Sequence, residues 1–291
     1  MVSNSPNDLD YTKDKLSKLS KEELIEEYLK LADKKESQED FILNISHDLR
    51  SPLNVILSII QCYKYSINKP EKIVEYLDSI KRNGYKILKL VNNLIDSTKL
   101  DREHYELKKE NVDIISLIEW NISNIDKYAH QKNISLVFDT NVEECIMAVD
   151  VEAMDRIIVN LISNAVKFSP NRSCIYINAL KKNKSITISV KDKGIGIPLK
   201  EQKDIFNRFV QSSKNKKNAH CGSGIGLDLV RRLVKAHDGT IELESEENYG
   251  SEFRVKLPIA TINNNDNKKN NYIHAKDKVE VLEVEFSDIY L

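Results

Sequence analysis

Apolar residues in the first hundred positions recur with helical spacing. From residue 13 to about residue 67 they follow alternating steps of three and four, which is typical of one face of a helix. Pro52 lies inside this helix and is expected to bend it, because proline removes a backbone donor. Residues 68–70 end the run, and a second helix follows with an apolar heptad over residues 73–98. One hairpin cannot bury both apolar faces, so the pattern predicts a dimer in which two hairpins form a four-helix bundle.

The apolar face of the first helix continues towards the N-terminus, interrupted by one polar layer. Lys35 and Gln38 fall in the same phase as Leu31 and Ile42, between which they lie. We therefore expect residues 1–40 to form a coiled-coil helix in register with the bundle.

Beyond Leu100 the chain alternates between helical and strand periods. The predicted helices are 114–128, 151–168 and 224–237, and the predicted strands are 134–138, 174–180, 186–191, 240–244 and 252–257. Helices interleaved with antiparallel strands are typical of a two-layer α/β sandwich. The whole chain is therefore predicted to be α+β: a helical hairpin forming a dimeric four-helix bundle, followed by a two-layer sandwich.

The last thirty residues have a different pattern. Residues 263–271 are rich in asparagine and of low complexity, which predicts a disordered linker. After the linker, residues 279–286 contain Val279, Val281, Val284 and Phe286, which alternate with one phase slip. This alternation predicts an extra edge strand on the sandwich.

Composition excludes several classes of protein. Lys and Arg total 44 and Asp and Glu total 45, so the net charge is −1 and lacks the basic excess of a nucleic-acid binder. The longest apolar runs are much shorter than the ~20 residues that a membrane span needs. The four cysteines are far apart and form no Cys-x-x-Cys pair. We therefore expect no nucleic-acid partner, no membrane span in this chain, and reduced thiols in the cytoplasm.

One histidine is placed for chemistry on the first helix. His47 is two residues from each of the apolar positions Ile45 and Leu49, so it projects away from the bundle core into solvent. Asp48 follows it directly. An exposed imidazole beside a carboxylate can act as a nucleophile, because one nitrogen is held while the other attacks. The alternative is an ordinary surface histidine.

A polar stripe follows the predicted helix 151–168. Asn160, Asn164 and Lys167 recur at helical spacing, whereas the apolar residues of this helix cover a different face. Two amides and a lysine suit a metal-bound polyphosphate, since an amide oxygen can ligate magnesium and the lysine supplies positive charge. The alternative is a solvated helix face.

Glycines mark two loops in which a ligand could approach the backbone. Of the eight glycines, seven lie from Gly194 to Gly250. Residues 192–198 form a two-glycine turn after a strand, in which the carboxylate of Asp192 could accept a hydrogen bond from an exocyclic amine such as that of adenine. Residues 222–227 open a helix with a Gly-x-Gly-x-Gly pattern, which suits phosphate. The polar stretch 212–221 before it is expected to be a mobile lid. The alternatives are a plain strand-turn-helix junction and an ordinary exposed loop.

The order and spacing of these motifs resemble those of the sensor histidine kinases of two-component signalling, over about residues 40–258. The stretch around His47 resembles the H box of a HisKA-type domain, and residues 160–168 are similar to the N box. Residues 192–196 resemble the G1 box, and residues 222–226 resemble the G2 box. Phe206 and Phe209 resemble the F box.

The resemblance implies a role for each residue of the H box. His47 would be the phosphoacceptor, and Asp48 would orient or deprotonate it. Ser51 stands where relatives often have threonine or asparagine, a residue that helps to dephosphorylate the partner regulator. Serine keeps a hydroxyl but lacks the methyl group of threonine.

The resemblance also implies that the second half is a Bergerat-type ATP-binding domain. Asn160 would hold Mg²⁺, Asn164 and Lys167 would contact phosphates, and Asp192 would read adenine. The full set expected to bind ATP is Asn160, Asn164, Lys167, Phe168, Asp192, Gly194, Gly196, Phe206, Phe209, Gly222, Gly224, Gly226 and Leu227.

The expected organisation follows from the same resemblance. Residues 1–40 would be a signalling helix, 41–104 the dimerisation and phosphotransfer domain, 105–260 the ATP-binding domain, and 261–291 a linker and tail of unknown role. The cofactors would be ATP and Mg²⁺, and the partners a second copy of the chain and the receiver domain of a response regulator. The chain would be cytoplasmic, or the cytoplasmic part of a longer membrane-bound sensor. A Bergerat ATPase of the gyrase, Hsp90 or MutL kind and a catalytically silent scaffold are the alternatives.

Overall fold

The computed structural model describes residues 20–63, 70–100, 106–208, 210, 224–263, 281–287 and 289. The chain divides into two compact units, residues 1–47 and residues 48–291. Two long helices come first, α1 (Lys21–Tyr63) and α2 (Pro70–Leu100). Ser20 and Glu23 form a reciprocal capping box at the start of α1, in which Ser20 N donates to Glu23 Oε2 over 2.7 Å and Glu23 N donates to Ser20 Oγ over 3.2 Å.

The facing ends of α1 and α2 leave apolar side chains uncovered. Ile60 is 54% exposed and Leu77 is 60% exposed. These two side chains line an apolar cavity of about 150 Å³ together with Ile59, Ile73, Tyr76 and Ile80. A single chain therefore leaves open the stripes that the sequence assigns to a four-helix bundle.

A five-stranded sheet and three helices form the second half of the chain. The sheet has the order β2-β4-β5-β7-β6, in which β2 pairs parallel with β4 and the other neighbours are antiparallel. The elements are α3 (Ile114–Gln131), β2 (Ser135–Thr140), α4 (Val151–Phe168), β4 (Cys174–Lys182), β5 (Ser185–Lys191), α5 (Gly226–Ala236), β6 (Thr240–Glu246) and β7 (Gly250–Pro258). This arrangement confirms the predicted helical hairpin followed by an α/β sandwich.

One face of the sheet carries the core. Every second residue of β4 is buried at Ile175, Ile177 and Ala179, as expected for a strand with one covered face. These side chains share one apolar cluster with the buried residues of the helices, such as Ile118 of α3 and Ile162 of α4. The core therefore lies between the sheet and the helical layer.

Two short strands were not predicted from the sequence. They are β1 (Glu110–Asp113) and β3 (Ile146–Val149), which pair antiparallel to each other in a separate two-stranded sheet. Each strand has four residues, and β1 contains a single apolar residue, Val112. A period cannot be recognised over so short a run.

The predicted edge strand in the tail is wrong. Residues 281–285 form a helical turn, α6, and not a strand. The buried side chains are those of Leu282, Val284, Phe286, Ser287 and Ile289. Three of them, Leu282, Phe286 and Ile289, join the apolar core and are spaced by four and then three residues, as on one face of a helix. The alternation of the valines in this segment is typical of a strand, so the helical spacing of the buried residues was not recognised in the sequence. The predicted linker 263–271 lies, beyond Asn263, outside the described residues.

Candidate functional site

Helix α4 presents the polar stripe that the sequence predicts. Its N-cap, Asp150, accepts a hydrogen bond from Ala153 N over 3.0 Å, which starts the helix at Val151. Asn160 is 7% exposed, and its Oδ1 accepts a hydrogen bond from Asn164 Nδ2 over 3.2 Å. The opposite side of α4 is apolar and packs into the core. The helix therefore holds two adjacent amides at the margin of the core.

The C-terminal turn of α4 is held by a lysine that the sequence analysis did not single out. Lys132 Nζ donates to the carbonyl oxygens of Val166, Lys167 and Ser169 at 2.7, 3.1 and 3.1 Å. Burial lowers the pKa of Lys132. Lys167 is 8% exposed, and its Nζ lies 5.5 Å from the centre of the Phe168 ring. Lys132 thus fixes the backbone that carries Lys167, a role that nothing in the local pattern could reveal.

Asp192 is a buried carboxylate at the end of β5. It is 6% exposed, its Oδ1 accepts a hydrogen bond from Gly194 N over 2.7 Å, and its own backbone N donates to Ser251 O over 2.9 Å. Burial raises the pKa of Asp192 to about 6, although hydrogen bonds from the backbone N–H groups of Gly194 and Ser251 to its carboxylate oppose this shift. A carboxylate kept in a dry position in this way is typical of a binding site.

Two glycines bring the loop after β5 and the start of α5 against α4. A Cβ atom on Gly194 would lie 2.5 Å from the carbonyl oxygen of Phe168, and one on Gly226 would lie 2.6 Å from Asn160 Oδ1. A side chain at Gly194 would collide with the backbone at the end of α4, and one at Gly226 would displace the side chain of Asn160. The structure therefore brings the Asp192 loop, the Asn160 helix and the start of α5 together, although they are distant in sequence.

The start of α5 offers backbone donors. Ile225 is its N-cap and provides no side-chain hydrogen bond to the helix. Uncapped N–H groups at a helix start suit an anion. Gly224 and Gly196 adopt positive φ angles of 69° and 62°, and Leu227 packs against the core. Gly222 and the predicted lid, residues 212–221, lie outside the described residues.

The segment before the lid is anchored to the sandwich. Phe206 packs edge-on against Phe253 with ring centroids 6.2 Å apart. Arg208 Nε lies 3.0 Å from Oδ2 of Asp228, which is 1% exposed and also pairs with Arg231 and Arg232. This cluster was not predicted from the sequence, because Asp228 lies on the helix after the lid whereas Arg208 lies before it. Phe209 lies outside the described residues.

The phosphoacceptor candidate lies on α1. The side chain of His47 is exposed, whereas Ile45, Asp48 and Leu49 are partly buried. Ser51 is exposed one turn further along the helix, beside the buried Pro52.

Two protein families match the two halves of the chain. Residues 37–103 match the His Kinase A (phospho-acceptor) domain, and residues 149–261 match the histidine kinase-, DNA gyrase B- and HSP90-like ATPase family. The first range contains the hairpin with His47, and the second contains the Asn160 helix and the Asp192 loop. These two matches define a phosphoacceptor domain followed by an ATP-binding domain.

Several known histidine kinases are similar to this chain. The chain is 36% identical over 241 residues to the sensor histidine kinase TmoS of Ectopseudomonas mendocina, a match that covers 82% of this chain and 24% of TmoS. The crystal structure of full-length ShkA in complex with AMPPNP has 26% identity and a TM-score of 0.58, covering 77% of this chain and 46% of ShkA. The histidine kinase ThkA in complex with the response regulator protein TrrA shares the fold at 19% identity and a TM-score of 0.63, covering 84% of this chain and 68% of that chain.

The chain carries a phosphoacceptor domain of the His Kinase A family followed by an ATPase domain of the histidine kinase type, and over this span it is similar to sensor histidine kinases. It spans about a quarter of the length of TmoS. Among the residues that the structure describes, no helix is both long enough and apolar enough to cross a membrane.

Proposed function

We propose that this chain phosphorylates itself on His47 with ATP and then donates the phosphoryl group to an aspartate of a response regulator. The observation that carries the proposal is the presence, in one chain, of an exposed histidine within the phosphoacceptor match and a buried Asp192–Asn160 site within the ATPase match. Neither feature alone would support phosphotransfer between histidine and aspartate.

The adenine end of ATP fits the Asp192 loop. The exocyclic amine of adenine is a donor, and the buried carboxylate of Asp192 is an acceptor at the end of β5. Gly194 leaves the backbone free of a Cβ where the loop meets the end of α4. The phosphates would extend along Asn164 and Lys167 towards the start of α5, where Gly224, Gly226 and Leu227 follow the lid.

Mg²⁺ fits a site that the nucleotide helps to build. In the described part of the chain, no cluster of three or more His, Cys, Asp and Glu side chains could hold a metal ion. Asn160 offers an amide oxygen, and Mg²⁺ usually takes one or two protein ligands together with substrate phosphates and water. When bound, the ion would neutralise charge on the phosphates. Asn160 would hold it, and Lys167 would add positive charge.

The transfer step depends on the placement of His47. One imidazole nitrogen attacks the γ-phosphorus, the bond from that phosphorus to the bridging oxygen breaks, and ADP leaves with the electron pair. Asp48 accepts or orients the proton of the other ring nitrogen. Such transfer is mostly positioning and electrostatics, so the protein must bring the γ-phosphate to the histidine.

The partners follow from the hairpin. The exposed apolar stripes of α1 and α2 would be covered by a second copy of the chain. The complex of ThkA with the response regulator TrrA supports a receiver domain as the second partner. Ser51 would use its hydroxyl to assist dephosphorylation of that regulator. Use of ATP and the three free cysteines in the described part of the chain favour a cytoplasmic location.

Labelling with γ-³²P-ATP and magnesium tests the proposal. We expect acid-labile, base-stable label on the wild type and loss of at least about 100-fold in His47→Gln, because the nucleophile is gone. His130→Gln is the matched control, since His130 is an exposed histidine of α3 outside the site. ATP hydrolysis without stable label would favour a Bergerat ATPase, and ATP binding without turnover would favour a silent scaffold. Label that persists in His47→Gln would move the acceptor elsewhere.

A further inference from the structure

The C-terminal segment, residues 281–287 and 289, docks on two parts of the molecule at once. It follows the ATP-binding sandwich in sequence, yet its contacts reach both the sandwich and α2. The sequence analysis assigned no role to this segment.

Apolar packing ties the C-terminal segment to the sandwich. Phe286 is fully buried and stacks on Tyr128 of α3, with ring centroids 4.7 Å apart and an angle of 15° between the rings. Leu282 and Ile289 are each 5% exposed on the same side. Burial raises the pKa of Tyr128 to about 12. The segment is therefore part of the sandwich core and not a loose extension.

Polar contacts tie the same segment to α2. Tyr85 Oη donates to Glu283 Oε2 over 2.9 Å, and Lys81 Nζ lies 3.1 Å from the same carboxylate oxygen. These two hydrogen bonds lower the pKa of Glu283. Lys89 Nζ donates to the backbone carbonyl of Glu285 over 2.6 Å and lies 3.2 Å from its Oε1. One face of α2 thus offers two lysines and a tyrosine to two glutamates.

Glu285 also reaches the helix that carries the nucleotide site. Ser163 Oγ donates to Glu285 Oε1 over 3.0 Å, and the same hydroxyl lies 3.1 Å from the carbonyl oxygen of Asn160. A direct ion pair between Arg156 of α4 and Asp96 of α2 lies in the same region of contact between the two helices. The side chains of Lys89 and Glu285 are only 18% and 15% exposed, so solvent screens their interaction less than that of a surface pair.

We propose that the C-terminal segment is an intramolecular strap that holds the ATP-binding sandwich against α2 and slows autophosphorylation. The proposal rests on the proposed function. The catalytic cycle needs the sandwich in at least two positions, because His47 must meet ATP in one step and the receiver domain in another. Contacts that form in one position lower the population of the others. The strap forms such contacts with α2, and its release frees the sandwich to move.

Charge reversal on the strap tests this proposal. In Glu283→Lys combined with Glu285→Lys, two lysines face Lys81 and Lys89, whereas Phe286 and the apolar core stay intact. We expect faster amide hydrogen exchange in peptides that cover residues 81–92. We also expect the initial rate of autophosphorylation at saturating ATP to rise by at least about threefold, the size expected when two such ion pairs become repulsive. The apparent KM for ATP should stay within about twofold, because the nucleotide contacts are unchanged.

Two further variants make the result specific. Adding Lys81→Glu and Lys89→Glu restores opposite charges, and should bring both the exchange and the rate back to within about twofold of the wild type. Glu143→Lys with Glu144→Lys is the matched control, since both side chains are exposed in a loop and the change in net charge is the same. This control should leave the rate unchanged.

The outcomes separate the two proposals. Unchanged exchange over residues 81–92 would overturn the docking itself. Faster exchange with an equal or lower rate of labelling would overturn the inhibitory role. If the proposed function is wrong, the wild type itself will carry no label on His47, yet the difference in exchange will still be seen.

Discussion

The hairpin and the ATP-binding sandwich bury their residues in opposite ways. Among the described side chains of α1 and α2, only Pro52 and Asn93 are buried. The sandwich has a closed apolar core in which residues such as Ile118, Ile162 and Val255 have no more than 1% exposure. A sandwich can therefore fold on its own contacts, whereas the hairpin is complete only when another surface covers it. The same chain thus joins a self-sufficient domain to one that is built for association.

The largest effect is expected at the site of the sandwich. Asp192→Asn removes the carboxylate that would accept the adenine amine, and an amide presents a donor to the same amine. We expect ATP affinity and autophosphorylation to fall by at least about 100-fold, because the site is built to hydrogen-bond one group. Titration calorimetry and labelling measure the two losses.

The matched control for that change is Asp139→Asn, an exposed aspartate of β2. It should bind ATP like the wild type. ATP binding by Asp192→Asn at wild-type affinity would place the adenine elsewhere.

The second-largest effect is expected in the hairpin and not in the sandwich. Leu77→Glu puts a charge on the exposed stripe of α2, and should weaken dimerisation by at least about 100-fold, because a charge would be buried between two chains. ATP affinity and the thermal midpoint of the sandwich should change little. Light scattering after gel filtration gives the mass of the particle.

The counterpart in the sandwich is Ile162→Ala. Ile162 is fully buried, so its truncation should lower the free energy of unfolding by about 2–5 kcal/mol without reducing the mass of the dimer. Urea unfolding followed by the fluorescence of Trp120, the single tryptophan and a residue of α3, measures this loss. If the Leu77→Glu variant still forms a dimer, the exposed stripe of α2 is not the dimer surface. The contrast between an associating hairpin and a self-sufficient sandwich would then be wrong.

The smallest effect concerns pH. The pKa of Asp192 rises from 3.8 to about 6 on folding, so the folded protein binds the extra proton and becomes less stable as pH rises through this window. The stabilising contribution is complete below the unfolded pKa and is lost above the folded pKa. Between pH 4.5 and 7.5 we expect the wild type to lose about 2 kcal/mol relative to Asp192→Asn.

Unfolding by urea at several pH values, again followed by Trp120, measures the difference between the two proteins. A difference that is constant with pH, or one of opposite sign, would show that the carboxylate is not held in a dry position.

The elements with long or regular periods could be predicted from the local pattern alone. Helix α4 begins and ends where the pattern predicts, because eighteen residues give the apolar face several turns to repeat and Asp150 and Ser169 mark its ends. The stripe of Asn160, Asn164 and Lys167 followed from helical spacing alone. The exposure of His47 followed in the same way from its phase against Ile45 and Leu49.

The contacts between residues distant along the chain could be seen only in the folded molecule. The two-stranded sheet of β1 and β3, the support of α4 by Lys132 and the cluster at Asp228 all depend on residues that are distant along the chain. The C-terminal segment is the clearest example. The alternation of its valines favours a strand, but the burial of Leu282 and Phe286 against the sandwich selects a helical turn instead. Local periodicity selects a conformation where it is strong, and burial against distant partners selects it where the local preferences nearly balance.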